Sequence, residues 1–533
     1  MRKLFIRLAA VVSFTILLIG CGPNDSYTNA VSNQSFAVVE FNAYNVLQKS
    51  GMYNDLMVTA KDALRSEGAP DYAISLVEDL FNTGIDIHAS MYGYAYMLDK
   101  NNIFMGLVGK TYSVEKLNAL IAFIEGQANE TLSKVQLDGY TLIDLDRNVA
   151  LGYNENAIVL GVIERLNYYG DRAHVDVKEC ISEALKNTVD GEKCDKLPSF
   201  AGSDIACRMD MSPIVDFLKS ASSGSYDPDI ATAISMLEKV RDAKLNFAGN
   251  FATGSVDLEL EWSGLPESTH KALSCSNKNL QYVSDDAWFV ANLPFHGESV
   301  VAVINNLLDD QMIRRIIDDI AQEVTGNLFT AKSAMAFASP LISSINGDIT
   351  IALNKLSNFD NYKPNIDALA VVTVKNESII NLASGAIASI PGAHSLGDNI
   401  YQIFDDGIIG YIGQKEDLIF ASTPTIIEQK KQSATKAKWY SEVKGSYGYV
   451  VLNLASLFAS PEVRRIPEEL GYSRNDAFYI NSINDLLDYT ILSIPTTQSA
   501  SYRIVFKNDN ENALKQVVDV LKPLITIGMM DLY

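Results

Sequence analysis

Ser35-Phe36-Ala37-Val38-Val39-Glu40-Phe41-Asn42 alternates as a half-buried strand does and runs into a helix that ends near Ser50-Gly51. Ala287-Trp288-Phe289-Val290-Ala291-Asn292 opens a second strand of the same kind, Trp288 matching Phe36 at an offset of 252. Three further matches follow in the same order. Ile103 to Lys110 and its helix match Ala368 to Lys375 at 265. Val149 and Ala157 to Gly161 match Ile409 and Asp417 to Ala421 at 260. Asp210 matches Asn453 at 243. Four matches in one order, with offsets drifting by about twenty residues as loop insertions would cause, predict an α+β fold of two duplicated halves. Each half would hold mainly antiparallel strands with helices packed on the sheet. The expected segments are a leader (1–20), a tether (21–33), two halves (34–265 and 285–510) and a C-terminal helix with an apolar tail (511–533). Residues 167–200, polar and containing Cys180 and Cys194, read as a crossing between subdomains. A binding site is expected near the seam between the copies, since clefts between domains commonly take ligands.

The first residues are charged at Arg2, Lys3 and Arg7, and Leu8 to Gly20 is an almost purely apolar run. That run is too short to span a bilayer core, which takes about 20 residues, and has the length of an export signal. It ends Leu18-Ile19-Gly20-Cys21, the pattern of a bacterial lipobox, so Cys21 is the expected lipid-carrying N-terminus. Acyl chains add about 0.8 kcal/mol per buried CH₂ and hold a protein on a membrane without a spanning helix. Gly22 stands where an Asp would signal inner-membrane retention, which favours the outer membrane, and Asp25 is a lone acid, which favours its periplasmic face over the cell surface.

Acidic residues number 65 against 43 basic ones, and loss of the leader takes the formal charge from −22 to about −25. Nucleic acid, which needs clustered positive charge, is excluded as a partner. Apolar residues at 47% are enough to fill sizeable cores.

No constellation names a reaction. The five histidines are scattered and there is no H-E-x-x-H, so no metal is expected. G-x-S-x-G, P-loop and calcium-loop patterns are absent, and S-x-x-K recurs four times without K-T-G or S-D-N. No catalytic residue and no cofactor is assigned. Cys180 and Cys194 are candidates for a disulfide across a short polar loop, worth roughly 3 kcal/mol if unstrained. Tyr92, Tyr94 and Tyr96 share one face of a strand, where they either line a ligand groove or pack under a helix. Leu524 to Met530 is a candidate exposed apolar patch, with packing onto its own domain the favoured reading.

The lipobox, the strand Phe36 to Asn42, Leu47-Gln48-Lys49-Ser50-Gly51 and Thr83-Gly84-Ile85-Asp86 together resemble a Bacteroidetes lipoprotein family known only as domain of unknown function 4836. The resemblance would cover nearly the whole exported chain. It implies an envelope-bound protein and transfers no activity or site residues. The expectation is a non-catalytic binding or scaffold protein, with a protein, peptide or glycan as partner and a membrane held through the lipid. The alternatives are a hydrolase with paired carboxylates flanking a groove, acting on glycan or peptide, and a structural subunit of a surface complex.

Overall fold

The computed structural model describes residues 25–530 except 67, 100, 129–130, 166–175, 201, 223–232, 236, 266–273, 310–313, 316, 319–329, 358–364, 376–378, 406–407 and 424–432. The leader and Cys21 lie outside the described residues, as do the side chains of the apolar tail. The chain forms two compact units, residues 1–266 with 509–533 and residues 267–508.

In the first unit the described strands are β1 (Ala37–Phe41), β2 (Met91–Met97), β3 (Asn102–Lys110), β4 (Ser133–Leu137), β5 (Tyr140–Asp146), β6 (Val149–Tyr153), β7 (Ala157–Arg165), β8 (Ile205–Asp210), β9 (Lys244–Ala252) and β10 (Ser255–Ser263). They lie in the order β10-β9-β8-β1-β2-β3-β7-β6-β5-β4, every neighbour antiparallel. The main helices are α1 (Ala43–Ser50), α2 (Tyr53–Ser66), α3 (Asp71–Glu78), α4 (Val114–Ala128) and α5 (Val177–Asp190). Asn42 caps α1 by accepting from the Asn45 N–H, and Gly51 ends it at φ 71°, a left-handed conformation that glycine adopts without strain.

The first core lies between one face of this sheet and α5. Val38, Tyr92, Tyr94, Tyr96, Phe104, Val108, Val159 and Ile163 point into it from the strands. Helix α5 supplies Val177, Cys180, Ile181, Ala184 and Leu185, spaced as one helical face. Residues 177–190 are therefore a central core element rather than part of a crossing segment. Close approach is what keeps glycine at 161, where a Cβ would come within 2.9 Å of Ile181 and of the Phe104 ring.

Two boundaries also differ from the expectation. Asp25–Ala30 is a 3₁₀ turn, and Tyr27, Thr28, Ala30 and Val31 are buried, so the core begins inside the expected tether. The C-terminal helix Ala513–Met530 belongs with the first unit. The Asn512 side-chain amide donates to the Phe251 carbonyl at 2.7 Å, and Lys522 pairs with Asp55 at 2.6 Å.

In the second unit the described strands are β11 (Phe289–His296), β12 (Ile345–Ser357), β13 (Asn365–Val374), β14 (Ala393–Gly397), β15 (Ile400–Asp405), β16 (Ile408–Lys415), β17 (Leu418–Ser422), β18 (Tyr449–Leu452), β19 (Leu487–Thr496) and β20 (Ser499–Phe506). Their order is β20-β19-β18-β11-β12-β13-β17-β16-β15-β14, again antiparallel throughout. This is the first unit's order with ten added to each strand number. The register agrees too. The Asp210 N–H donates to the Phe36 carbonyl at 2.7 Å, and the Asn453 N–H donates to the Trp288 carbonyl at 2.9 Å. The Phe36 N–H meets the Ala95 carbonyl at 3.0 Å, as the Trp288 N–H meets that of Leu353 at 2.9 Å. The second core gathers Val290, Ala352, Leu369, Val371, Phe420, Val451 and Ile491 on the equivalent face, closed by Leu280, Trp439 and Val443.

Candidate functional site

The second unit carries a cleft of about 940 Å³. Four separate segments build it: the approach to β11 (Ser284 to Trp288), the end of β12 (Asn354 to Leu356), Asp367 near the start of β13, and Ser456 to Glu462 between two short helices after β18. The backbone places them. Trp288 and Asn453 are tied by the hydrogen bond above, which brings the helix Leu454–Phe458 beside the entry to β11. Pro461 opens the next helix from its first turn, where its missing N–H costs nothing.

The polar groups hold one another in place. Asn354 is 6% exposed, donates to Asp367 Oδ1 at 2.9 Å and accepts from the Ser284 N–H at 3.2 Å. The Ser284 hydroxyl donates to Asp286. Glu462 accepts from the Ser460 hydroxyl at 2.6 Å, and that bond first, then its own backbone N–H and the positive charges of Arg465 and Lys355, hold its carboxyl below the ordinary range. Asp285, Asp286, Asp367 and Glu462 line the cleft with Lys355, so the lining is net acidic and rich in acceptors. It suits a ligand that offers hydrogen-bond donors or positive charge. A general acid needs a carboxyl raised toward neutrality, and Glu462 is displaced in the opposite direction.

Tyr92, Tyr94 and Tyr96 do not face a ligand. They are 7%, 4% and 8% exposed, inside the first core. The Tyr94 ring lies over Gly106, where a Cβ would meet it at 2.3 Å, and Tyr96 packs on Phe104 with centroids 5.1 Å apart. The strand's period of two aligned them, and α5 covers the face they share.

Cys180 and Cys194 are both buried free thiols in that core, so the expected disulfide is not made. Burial pushes both upward, and a thiol held protonated is a poor nucleophile. Cys275, also buried, is pushed up to about 12 by burial and then by the Asp348 carboxylate. Among the described residues no group of three or more His, Cys, Asp or Glu could hold a metal ion. No described helix is long and apolar enough to cross a membrane.

One aromatic cluster was not read from the sequence. In the first unit Tyr53, Tyr44, His88, Phe81 and Tyr112 form a chain with centroids 4.5–5.7 Å apart, and Lys116 stands over Tyr112 at 5.3 Å. Most of these rings tilt against one another and pack on Leu80 and Ile87. Tyr44, Tyr53 and Phe81 make a satellite core under α1 and α2, with Tyr112 exposed at its edge.

These features define a two-unit α+β protein of antiparallel sheets, with an acceptor-lined cleft in its second unit. The chain belongs to the family DUF4836, a domain of unknown function, whose model matches residues 27–514. Crystal forms IV and III of TP0453 are similar to it at 8% and 9% identity, each with a TM-score of 0.22. They cover 44% and 45% of this chain and 79% and 82% of theirs. A likeness of that size carries no argument about function. No curated protein matches the chain.

Proposed function

We propose that this chain is an exported lipoprotein, held by acylated Cys21 on the periplasmic face of the outer membrane, that binds a peptide or glycan partner without transforming it. Its two units are two copies of one ten-strand plan. The shared strand order and the matched backbone bonds at Asp210 and Asn453 support the duplication. The lipobox supports the anchor. The observation that carries the binding reading is the cleft of about 940 Å³ with its acceptor-rich lining. Its size falls within the range of small-ligand sites, about 300–1,000 Å³.

Two experiments test this reading. Cys21→Ala should free the protein from membranes or stall its processing, and unchanged membrane fractionation would remove the anchor. For binding, the native protein and Ala459→Trp, which fills the cleft from an exposed position, are purified from native membranes. The native chain should bring a peptide or glycan that the variant loses. An equal yield from both would remove the cleft as the site.

A further inference from the structure

We infer that the first unit rides directly on the bilayer that carries the anchor, on a leash too short to lift it clear. The inference rests on the lipid-anchor reading and adds to it where the folded body begins. Tyr27 is 3% exposed, its ring centroid 6.0 Å from that of Tyr92, and its hydroxyl donates to the Ser90 carbonyl at 2.9 Å. Thr28, Ala30 and Val31 are buried beside it, and the turn Asp25–Ala30 packs against α5. A few residues on, Asn33 accepts from the Asp195 N–H at 2.9 Å. The chain is therefore committed to the first unit's core from Asp25 onward.

Only Gly22, Pro23 and Asn24 separate Cys21 from that point. Whatever their conformation, four residue steps span at most roughly 14 Å. The diacylglyceryl group begins at the base of the headgroup layer, which is itself about 5–7 Å thick. The turn at Asp25 is thus confined to within roughly 10 Å of the membrane surface. Proximity is imposed by the leash and not by charge. Glu192, Lys193, Asp195, Lys196, Arg208 and Asp210 near Asn33 sum to zero charge, so this stretch offers anionic lipid no net attraction.

The partner surface is therefore the lipid headgroup layer, and the face of the first unit around Asp25 is the one that meets it. A ligand would be captured at the membrane surface rather than out in the periplasm.

The test uses the full acylated protein in phosphatidylcholine vesicles with acceptor dyes on a fraction of the headgroups. A donor dye is placed on Gln34→Cys, an exposed position, in a Cys207→Ser background. Energy transfer should be strong, and should fall steeply when twenty Gly/Ser residues are inserted between Asn24 and Asp25. Tyr27→Ala, which releases the docked turn, should lower it partway. The insertion leaves the core intact, so it decides the matter if Tyr27→Ala fails to fold. Weak transfer at native length, or transfer unchanged by the insertion, overturns the leash while the protein still sediments with vesicles. Failure to sediment, with Cys21 unmodified, overturns the anchor reading instead.

Discussion

In the first unit the amphipathic helix α5 roofs one face of the sheet. Val177, Cys180, Ile181, Ala184 and Leu185 descend on a row of tyrosines, and the one buried acid of β1, Glu40, accepts from the Ser90 hydroxyl at 2.7 Å. The second unit closes the equivalent face with Leu280, Trp439 and Val443, and at the place of Glu40 it has Asn292. Around Asn292 the polar pair becomes a network. Asp348 accepts from the Ser276 N–H at 3.0 Å, the Ser276 hydroxyl at 2.8 Å and the Asn277 N–H at 2.7 Å. Tyr449 and Asn292 both donate to Asn277. Strand order is the same in the two units, as is the register of β1 and β11 with their neighbours, and the filling is not. Backbone pairing fixes the plan, whereas any set of side chains that fills the volume and satisfies its polar atoms can complete it.

The largest effect should come from breaking the second unit's network. Asp348→Ala strips the acceptor from two buried or part-buried N–H groups and should cost roughly 4 kcal/mol, at about 1–3 per unsatisfied donor. Asp348→Asn, which keeps one acceptor oxygen, should cost less. Denaturant unfolding measures both, and equal small losses would mean that water replaces the carboxylate. Next comes the apolar roof of the first unit. Ile181→Ala removes a fully buried side chain from α5 and should cost about 3 kcal/mol by the same measurement. A loss under about 1 kcal/mol would mean that α5 does not hold that core.

A smaller effect separates Asp210 from its counterpart Asn453. Burial raises the Asp210 carboxyl, but hydrogen bonds and charge from Lys196 and Arg208 outweigh it and hold the group below its ordinary value. A lowered carboxyl stabilises the fold above the unfolded value of about 3.9, and that stability is lost as pH falls through the folded value. Asp210→Asn should therefore cost on the order of 1 kcal/mol at neutral pH, and the difference should shrink as pH falls through the folded value. A pH-independent difference would contradict this. Least of all should follow from Lys438→Ala. Its side chain is 80% exposed and pairs with Asp488 at 2.9 Å, so its loss should stay below about 0.5 kcal/mol.

Much of the plan was legible because strands with one buried face alternate visibly. Val38 and Glu40, or Val290 and Asn292, face inward, and their neighbours do not. Helix α5 carries an equally clear signal at 177, 180, 181, 184, 185 and 188. Its cysteine and threonine stand among polar residues, which masks the stripe in the sequence. Other elements give no pattern to read. Helix α2 has no buried residue, and every residue of β4 is exposed. The cleft was illegible for a different reason. Its residues come from four segments between 284 and 462, and only the folded register sets Asn354 beside Asp367.

The shared register can be tested directly by cross-strand disulfides. Val39 and Cys207 face each other across β1 and β8, and Ala291 and Val450 across β11 and β18. The flanking hydrogen bonds make both pairs the non-bonded kind, with Cα atoms about 4.5 Å apart, within reach of a disulfide. Val39→Cys should oxidise onto the native Cys207, and Ala291→Cys with Val450→Cys should oxidise as readily. Ala291→Cys with Val451→Cys should not, because a slip of one residue turns the thiol to the other face. Mass spectrometry of peptides from non-reduced protein reads all three. Bonds in the first two and none in the third are the predicted result. A bond in the slipped pair, or none between 291 and 450, would contradict the claim that the two units share one plan.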